Sequence, residues 1–248
     1  MKKLDLHDVV FPVMTLSDSA SQLWGTAFSI GGGYYMTAKH VVESAIFNFK
    51  DGNIDYVAIG KPDEEKQWCF TSFSEDDIEH HPKLDIAIFK VPEDFNGVTP
   101  LTWSLGGLNI FDDILSAGYP YSLDVVNKVI NVRGIKGHII GTGRHILNGE
   151  DYQSYELSFN PPRGLSGCPV ISSSNGNIYG VLVGNKSHEM EVASSEEYVV
   201  SRQQTELYAK YEMMHIGISI QSKEFLGYRF DLIEDTLLNH LHKYSLIK

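Results

Sequence analysis

The chain lacks most features that would assign its class at a glance. Only two cysteines occur in 248 residues, Cys69 and Cys168, and they lie far apart, so a disulfide framework does not hold this fold together. No run of 18 apolar residues is present, and no membrane-spanning helix is expected. Met1-Lys2-Lys3 is followed by Asp5, His7 and Asp8 rather than an apolar core, so no secretory leader is expected and a reducing, cytoplasmic setting is the simplest reading. Positive charge is scarce: 20 Lys and Arg against 32 Asp and Glu give a net charge of −12. Nucleic acid and anionic membrane surfaces are disfavoured as partners, because both bind through basic surface. Ten histidines are present, yet none pairs at zinc-like spacing. His188-Glu189 lacks the second histidine of a helical zinc motif, and His80-His81 beside Glu79 reads as two exposed loop histidines. No metal and no cofactor is expected. Neither a sequence repeat nor a low-complexity tract occurs.

What is present reads as β-structure. With 42% hydrophobic residues, the chain can fill one core or two packed halves. Short apolar, β-rich stretches recur with glycine or polar turns between them: Trp24–Ile30, Tyr34–Thr37, Ile46–Phe49, Ile54–Ile59, Trp68–Phe73 and Leu84–Val91. Asp51-Gly52 suggests a hairpin, and Ala38–Ser44 a short helical turn. Pro92–Gly107, with prolines, glycines and polar residues, marks a boundary between two β halves. The second half repeats the style at Asp113–Ala117, Val129–Ile135, His138–Thr142, Tyr155–Phe159, Val170–Ser173, Ile178–Val183 and His215–Ile220. Asn175-Gly176-Asn177 forms a tight turn within it. Many short strands separated by glycine turns predict a sandwich or barrel. Lys186–Met214 is polar and acidic; Ser201–Tyr211 within it suits a helix, and the whole suits a loop shaped by function. Phe230–Tyr244 spaces Leu232, Ile233, Leu237, Leu238 and Leu241 as an amphipathic C-terminal helix, expected to pack on the second half.

The chemistry gathers in three places. In Arg163-Gly164-Leu165-Ser166-Gly167-Cys168-Pro169-Val170, a serine stands between glycines. A serine hydroxyl needs a base to take its proton and N–H donors to face the oxyanion, and glycine permits the backbone conformations such a loop requires. His40, just past an apolar strand, sits where a general base is held firmly and stays reachable. Asp85 opens an apolar strand, a costly place for a carboxylate without a partner, and an imidazole N–H is a natural one. The order is His40, Asp85, Ser166, with separations of 45 and 81 residues. That order differs from those of subtilisin and the α/β-hydrolases, and Cys168 breaks the Gly-x-Ser-x-Gly elbow.

These motifs resemble the trypsin-like, chymotrypsin-fold serine peptidases of the compact bacterial kind. Gly25-Thr26-Ala27-Phe28 with Met36-Thr37-Ala38-Lys39-His40 is similar to the strand and histidine box of that family. Leu84-Asp85-Ile86-Ala87-Ile88 is similar to its aspartate box. Ala117-Gly118-Tyr119-Pro120 resembles the opening of its second barrel, and Gly164–Val170 its nucleophile loop. Gly176–Val181 and His215–Ile220 resemble the strands that follow. The resemblance spans roughly Gly25 to Ile220. It implies an all-β fold of two packed six-stranded antiparallel β-barrels with a C-terminal α-helix. The units implied are residues 1–105, residues 106–225 and a helical tail, 226–248. It further implies a serine endopeptidase in which His40, Asp85 and Ser166 form a catalytic triad acting through an acyl-enzyme on a polypeptide substrate. The N–H groups of Gly164 and Ser166 would form the oxyanion hole. Asn160 would lie at the base of the primary pocket, with Val183, Gly184 and Asn185 along its wall. Cys168 and Leu165 depart from the family pattern, and Cys168 reads as a small buried residue. No Ile-Val-Gly-Gly-like start is present. Two other readings accompany this one: a catalytically silent peptide-binding or scaffold module of the same fold, and an enzyme gated by segment 186–214 or by a regulatory protein partner.

Overall fold

Val10–Leu16 is buried at every position, which a strand achieves only when both of its faces are covered. This strand, β1, lies inside the first sheet, with a strand on either side, in a computed structural model that describes residues 5–17, 21–50, 55–120, 123–124, 129–147, 150–199 and 204–248. Its companions are β2 (Ser21–Gly31), β3 (Tyr34–Thr37), β4 (Tyr56–Pro62), β5 (Trp68–Phe73), β6 (Ile78–His80) and β7 (Ala87–Lys90). The order across the sheet is β5-β4-β1-β2-β3-β7-β6, with every pairing antiparallel. Helix α1 (Lys39–Asn48) follows β3.

The second half holds β8 (Asp113–Gly118), a two-residue pairing of β9 (Leu123–Asp124) with β10 (Val129–Ile130), β11 (Arg133–Leu147), β12 (Glu150–Leu157), β13 (Pro169–Ser172), β14 (Ile178–Val199) and β15 (Gln204–Gln221). Six of these close into a barrel, β11-β12-β15-β14-β13-β8. The β13–β14 turn carries Gly176 at φ +74°, a left-handed position that favours glycine. The all-β class and the packing of two β units agree with the expectation. The first unit has seven strands rather than six, because the three-residue β6 adds to the outer edge of β7.

Each half has a core of its own: Phe11, Tyr35, Val41, Ile59 and Phe89 in the first, Leu157, Leu165, Cys168, Val170 and Leu182 in the second. A third cluster joins them, with Phe28, Ile30 and Met36 from the first half, Tyr119, Val181 and Ile220 from the second, and Phe225, Leu237 and Leu241 from the tail. Each fully buried side chain of this size contributes about 1.5–3 kcal/mol, so the junction is a core in its own right.

Four local readings are corrected. Ile46–Phe49 belongs to the end of α1 and the turn beyond it rather than to a strand; Asp51-Gly52 lies outside the described residues. The strand within Leu84–Val91 is shorter, Ala87–Lys90, and leaves Asp85 in an irregular approach. The paired histidines are not both exposed: His81 is buried, its Nδ1 accepts from the N–H groups of Lys83 and Leu84, and its ring packs on Tyr228 at 4.3 Å. Segment 186–214 is neither helix nor loop, for its described residues continue β14 and β15 as a long antiparallel ribbon. Pairing satisfies the facing backbone groups of both strands, and such pairing overrides weak local propensity.

The C-terminal helix is also shorter than its apolar spacing suggests. Helix α2 is Leu237–Lys243, capped by the Thr236 hydroxyl on the N–H of Asn239. Leu232 and Ile233 precede it in a turn between β16 (Arg229–Phe230) and β17 (Asp235–Thr236), where Glu234 at φ +57° interrupts any helix. The helix docks on the first half rather than the second. His240 Nε2 donates to the carbonyls of Ile30 and Gly31 at 3.1 and 3.3 Å. The tail also reaches the second half through Trp103, which accepts from Lys248, donates to Leu246 and bridges to Ile178.

Candidate active site

β3 and β7 are antiparallel neighbours, with Thr37 opposite Ala87. The chain that leaves β3 and the chain that enters β7 therefore lie side by side, and His40 meets Asp85 there. Asp85 Oδ1 accepts from the His40 backbone N–H at 2.9 Å, and its Oδ2 lies 2.6 Å from His40 Nδ1. The Asp85 side chain is only 14% exposed, whereas that of His40 is 44% exposed. The carboxylate is thus withdrawn from water against two donors, and the outer edge of the imidazole is left open.

The Ser166 loop joins β12 to β13. Leu165 N–H donates to the Pro162 carbonyl at 3.2 Å, closing a turn in which Gly164 has φ +98°. A positive φ at the third position is the type II arrangement, which demands glycine. Space makes the same demand, since a Cβ on Gly164 would lie 2.3 Å from the Tyr119 carbonyl oxygen. Gly167, at φ +88°, is wedged into the first half, where an added Cβ would come within 2.1 Å of the Thr26 carbonyl oxygen. Gly25 completes the seat, its added Cβ meeting Val41 of α1 at 2.6 Å and the Ser166 carbonyl oxygen at 2.8 Å.

Thr26 is the joint that sequence reasoning passed over. It is fully buried. Its N–H donates to the Ser166 carbonyl at 2.9 Å, its hydroxyl donates to the Gly164 carbonyl at 2.8 Å and accepts from Tyr119 N–H at 3.1 Å, and its carbonyl accepts from Thr37 at 2.7 Å. One residue of β2 thereby ties the serine loop, the start of the second half and β3 together. Its sequence signal was its place in Gly25-Thr26-Ala27-Phe28, a stretch similar to the family's strand, which gave Thr26 no role of its own. The backbone N–H groups of Gly164 and Ser166 meet no acceptor among the described residues. Ser166 is half-buried, and no hydrogen bond joins it to His40 among the described residues.

Cys168 is fully buried and its thiol is pushed up to about 12 by that burial. It packs against Gly118, where an added Cβ would lie 2.2 Å from the sulfur, so a thiolate nucleophile is excluded at this position near neutral pH. Asn160 and Asn185 meet directly, Asn185 Nδ2 donating to Asn160 Oδ1 at 2.9 Å. Gly217 lies beside them, its added Cβ 3.0 Å from the Phe159 carbonyl oxygen. Val183, Gly184 and Asn185 line a cleft of about 530 Å³ together with Asp85, Arg144, His145, Ile146, Tyr152, Lys186 and Ile218. Asp85 comes from the first half and the rest from the second, so the cleft lies between them. Burial, reinforced by the charge of Asp85, raises the Tyr152 hydroxyl above its ordinary value. Arg144 pairs with Asp151 at 2.6 Å and His145 with Glu156 at 3.1 Å. Arg144, His145, Ile146 and Tyr152, from β11 and β12, gave no motif in the sequence, and only the sheet brings them to the cleft.

Two antiparallel β units, one presenting a His–Asp pair and the other seating a glycine-flanked serine against it, define the chymotrypsin-like class of fold. The family model of the trypsin-like peptidase domain matches residues 25–181, and the chain belongs to that family. Among solved structures, it is similar to the active form of the Rv3671c protease from M. tuberculosis, at 19% identity and a TM-score of 0.57, covering 89% of this chain and 79% of that one. It is also similar to the MamO protease domain from Magnetospirillum magneticum, at 9% identity and a TM-score of 0.59, covering 90% and 97%. A third likeness is to the HtrA-type protease AlgW with a decapeptide, at 15% identity and a TM-score of 0.52, covering 88% and 61%. At these identities the likeness is one of fold. No curated protein matches the chain.

Proposed function

We propose that the protein is a serine endopeptidase that cleaves polypeptides through His40, Asp85 and Ser166. The observation that carries this reading is the two-point grip of Asp85 on His40, at 2.9 and 2.6 Å. One bond fixes the backbone and the other fixes the ring, so Nδ1 keeps its proton and Nε2 is free to accept one. Ser166 Oγ attacks the scissile carbonyl as its proton passes to His40 Nε2. The developing oxyanion is received by the N–H groups of Gly164 and Ser166. His40 then gives the proton to the leaving amine, an acyl-enzyme forms on Ser166, and water releases it by the same steps in reverse roles. Catalytic hydrogen bonds often tighten only when substrate is bound, which accommodates the unjoined His40 and Ser166. Membership of the peptidase family supports a polypeptide substrate.

The test is covalent labelling by a fluorophosphonate probe. Wild-type protein is expected to label at Ser166, and Ser166→Ala to abolish labelling. A wild type that stays unlabelled yet binds peptides would support the silent peptide-binding module instead.

A further inference from the structure

β14 and β15 do not stop at the wall of the barrel. β15 pairs with β12 only over Gly217–Ile220, and β14 pairs with β13 only over Ile178–Val181. Gly167 N–H donates to the Leu182 carbonyl at 2.7 Å. Past Leu182, the edge of β14 that leads away from the serine loop has no backbone partner among the described residues. From Asn185↔Gly217 to Val199↔Gln204 the two strands pair only with each other. At ~3.3 Å per residue, this ribbon reaches about 45 Å from the cleft. A two-stranded ribbon is marginal in water, and an edge with free N–H and C=O groups is a template for a third strand.

We propose that the β14 edge over Ser187–Val192 docks the part of the substrate far N-terminal of the scissile bond, and that this part is an extended segment rich in Lys or Arg. The inference rests on the peptidase reading. β14 runs outward from the cleft, so an antiparallel strand laid on it runs inward and delivers its C-terminal end to Ser166. With the residue before the scissile bond opposite Val183, one-to-one pairing puts Glu189 and Glu191 opposite positions about seven and nine residues before that bond.

The chemistry of the edge selects the occupant. Glu189 and Glu191 are exposed and have no cationic partner among the described residues. Each has an exposed apolar neighbour directly across the ribbon, Met213 beside Glu189 and Tyr211 beside Glu191. A carboxylate next to a thioether or an aromatic ring accommodates both the charged head and the aliphatic stem of Lys or Arg. The register shift between Glu191 and Ala193 interrupts the straight edge, and a bulge of this kind ends a pairing template.

The experiment uses the full chain and three fluorogenic peptides. All share a four-residue core before the cleaved bond, taken from library profiling, or four alanines if no library peptide is cleaved. One ends there, one adds eight residues alternating Lys and Thr in the phase that places Lys at the seventh and ninth positions before the bond, and one adds eight alternating Glu and Thr in the same phase. Fluorescein-labelled versions are titrated into Ser166→Ala by anisotropy. The Lys-Thr peptide is expected to exceed both others roughly tenfold in kcat/KM, through KM, and to bind Ser166→Ala correspondingly tighter, the gain shrinking as salt rises. Combining Glu189→Lys with Glu191→Lys is expected to reverse the order of the two long peptides. Equal kcat/KM and equal Kd for all three peptides overturn the inference while cleavage of any one upholds the peptidase reading. Tighter binding of the Lys-Thr peptide to Ser166→Ala with no cleavage by wild type upholds the docking edge and overturns the peptidase reading.

Discussion

Replacing Asp85 by asparagine tests the geometry of His40 most directly. Asp85 accepts two hydrogen bonds, from the His40 backbone N–H at 2.9 Å and at Nδ1 at 2.6 Å. Asparagine has nearly the same shape but keeps one acceptor and turns the other position into an NH2 donor. A backbone N–H can only donate, so the amide oxygen must take that side and the NH2 group must face Nδ1. The ring then has to accept at Nδ1, which moves its proton to Nε2. That nitrogen is the one required to take the proton of Ser166. The expected loss is about 10⁴-fold in kcat, ~5.5 kcal/mol of barrier. The second-order rate of fluorophosphonate labelling reads the same step without a known substrate. Because side-chain volume is conserved, thermal unfolding is expected to shift little. Labelling of Asp85→Asn at more than a tenth of the wild-type rate, with His40→Ala unlabelled, would refute the tautomer argument.

Three further outcomes are expected. Thr26→Val keeps the volume but leaves the Gly164 carbonyl and the Tyr119 N–H without their buried partner; a loss of about 2–4 kcal/mol in urea unfolding is expected, together with slower labelling of Ser166. A thiol reagent at pH 8 is expected to titrate one cysteine in the native protein, the exposed Cys69, and two after denaturation, because Cys168 is buried with its thiol raised to about 12. Burial holds His81 down to about 4, from an ordinary value of 6.5. Between those pH values the unfolded chain binds more protons than the native one, so stability falls as pH drops from about 6.5 to about 4 and levels off below. His81→Asn, whose Oδ1 can accept from the same two N–H groups without titrating, is expected to flatten that part of a urea-midpoint against pH profile.

Much of the first half was legible because its signals are local. Trp68–Phe73 and Tyr34–Thr37 show β-rich runs bounded by turns, and both are strands. The failures share one cause. Ile46–Phe49 reads as a strand in isolation, yet it continues a helix whose Val41, Val42, Ala45 and Ile46 are buried against the sheet. The acidic stretch after Lys186 alternates only briefly, at Glu189-Met190-Glu191-Val192, too short a period to mark a 22-residue strand without its partner. Leu232 and Ile233 sit at helical spacing with Leu237 and Leu241, but the positive φ of Glu234 turns the chain before the helix begins.

The sequence by itself determined the β class, the family, and the three residue types in the order the chemistry needs, because those are carried by short motifs with local physical meaning. Tertiary structure alone decided how the motifs meet. The register of β3 on β7 brings His40 to Asp85, and Thr26 with Gly25 and Gly167 seats the serine loop. It also decided where the tail docks and how far the β14–β15 ribbon extends. These depend on pairing and close approach between segments far apart in the chain, and no stretch of sequence encodes such contacts alone.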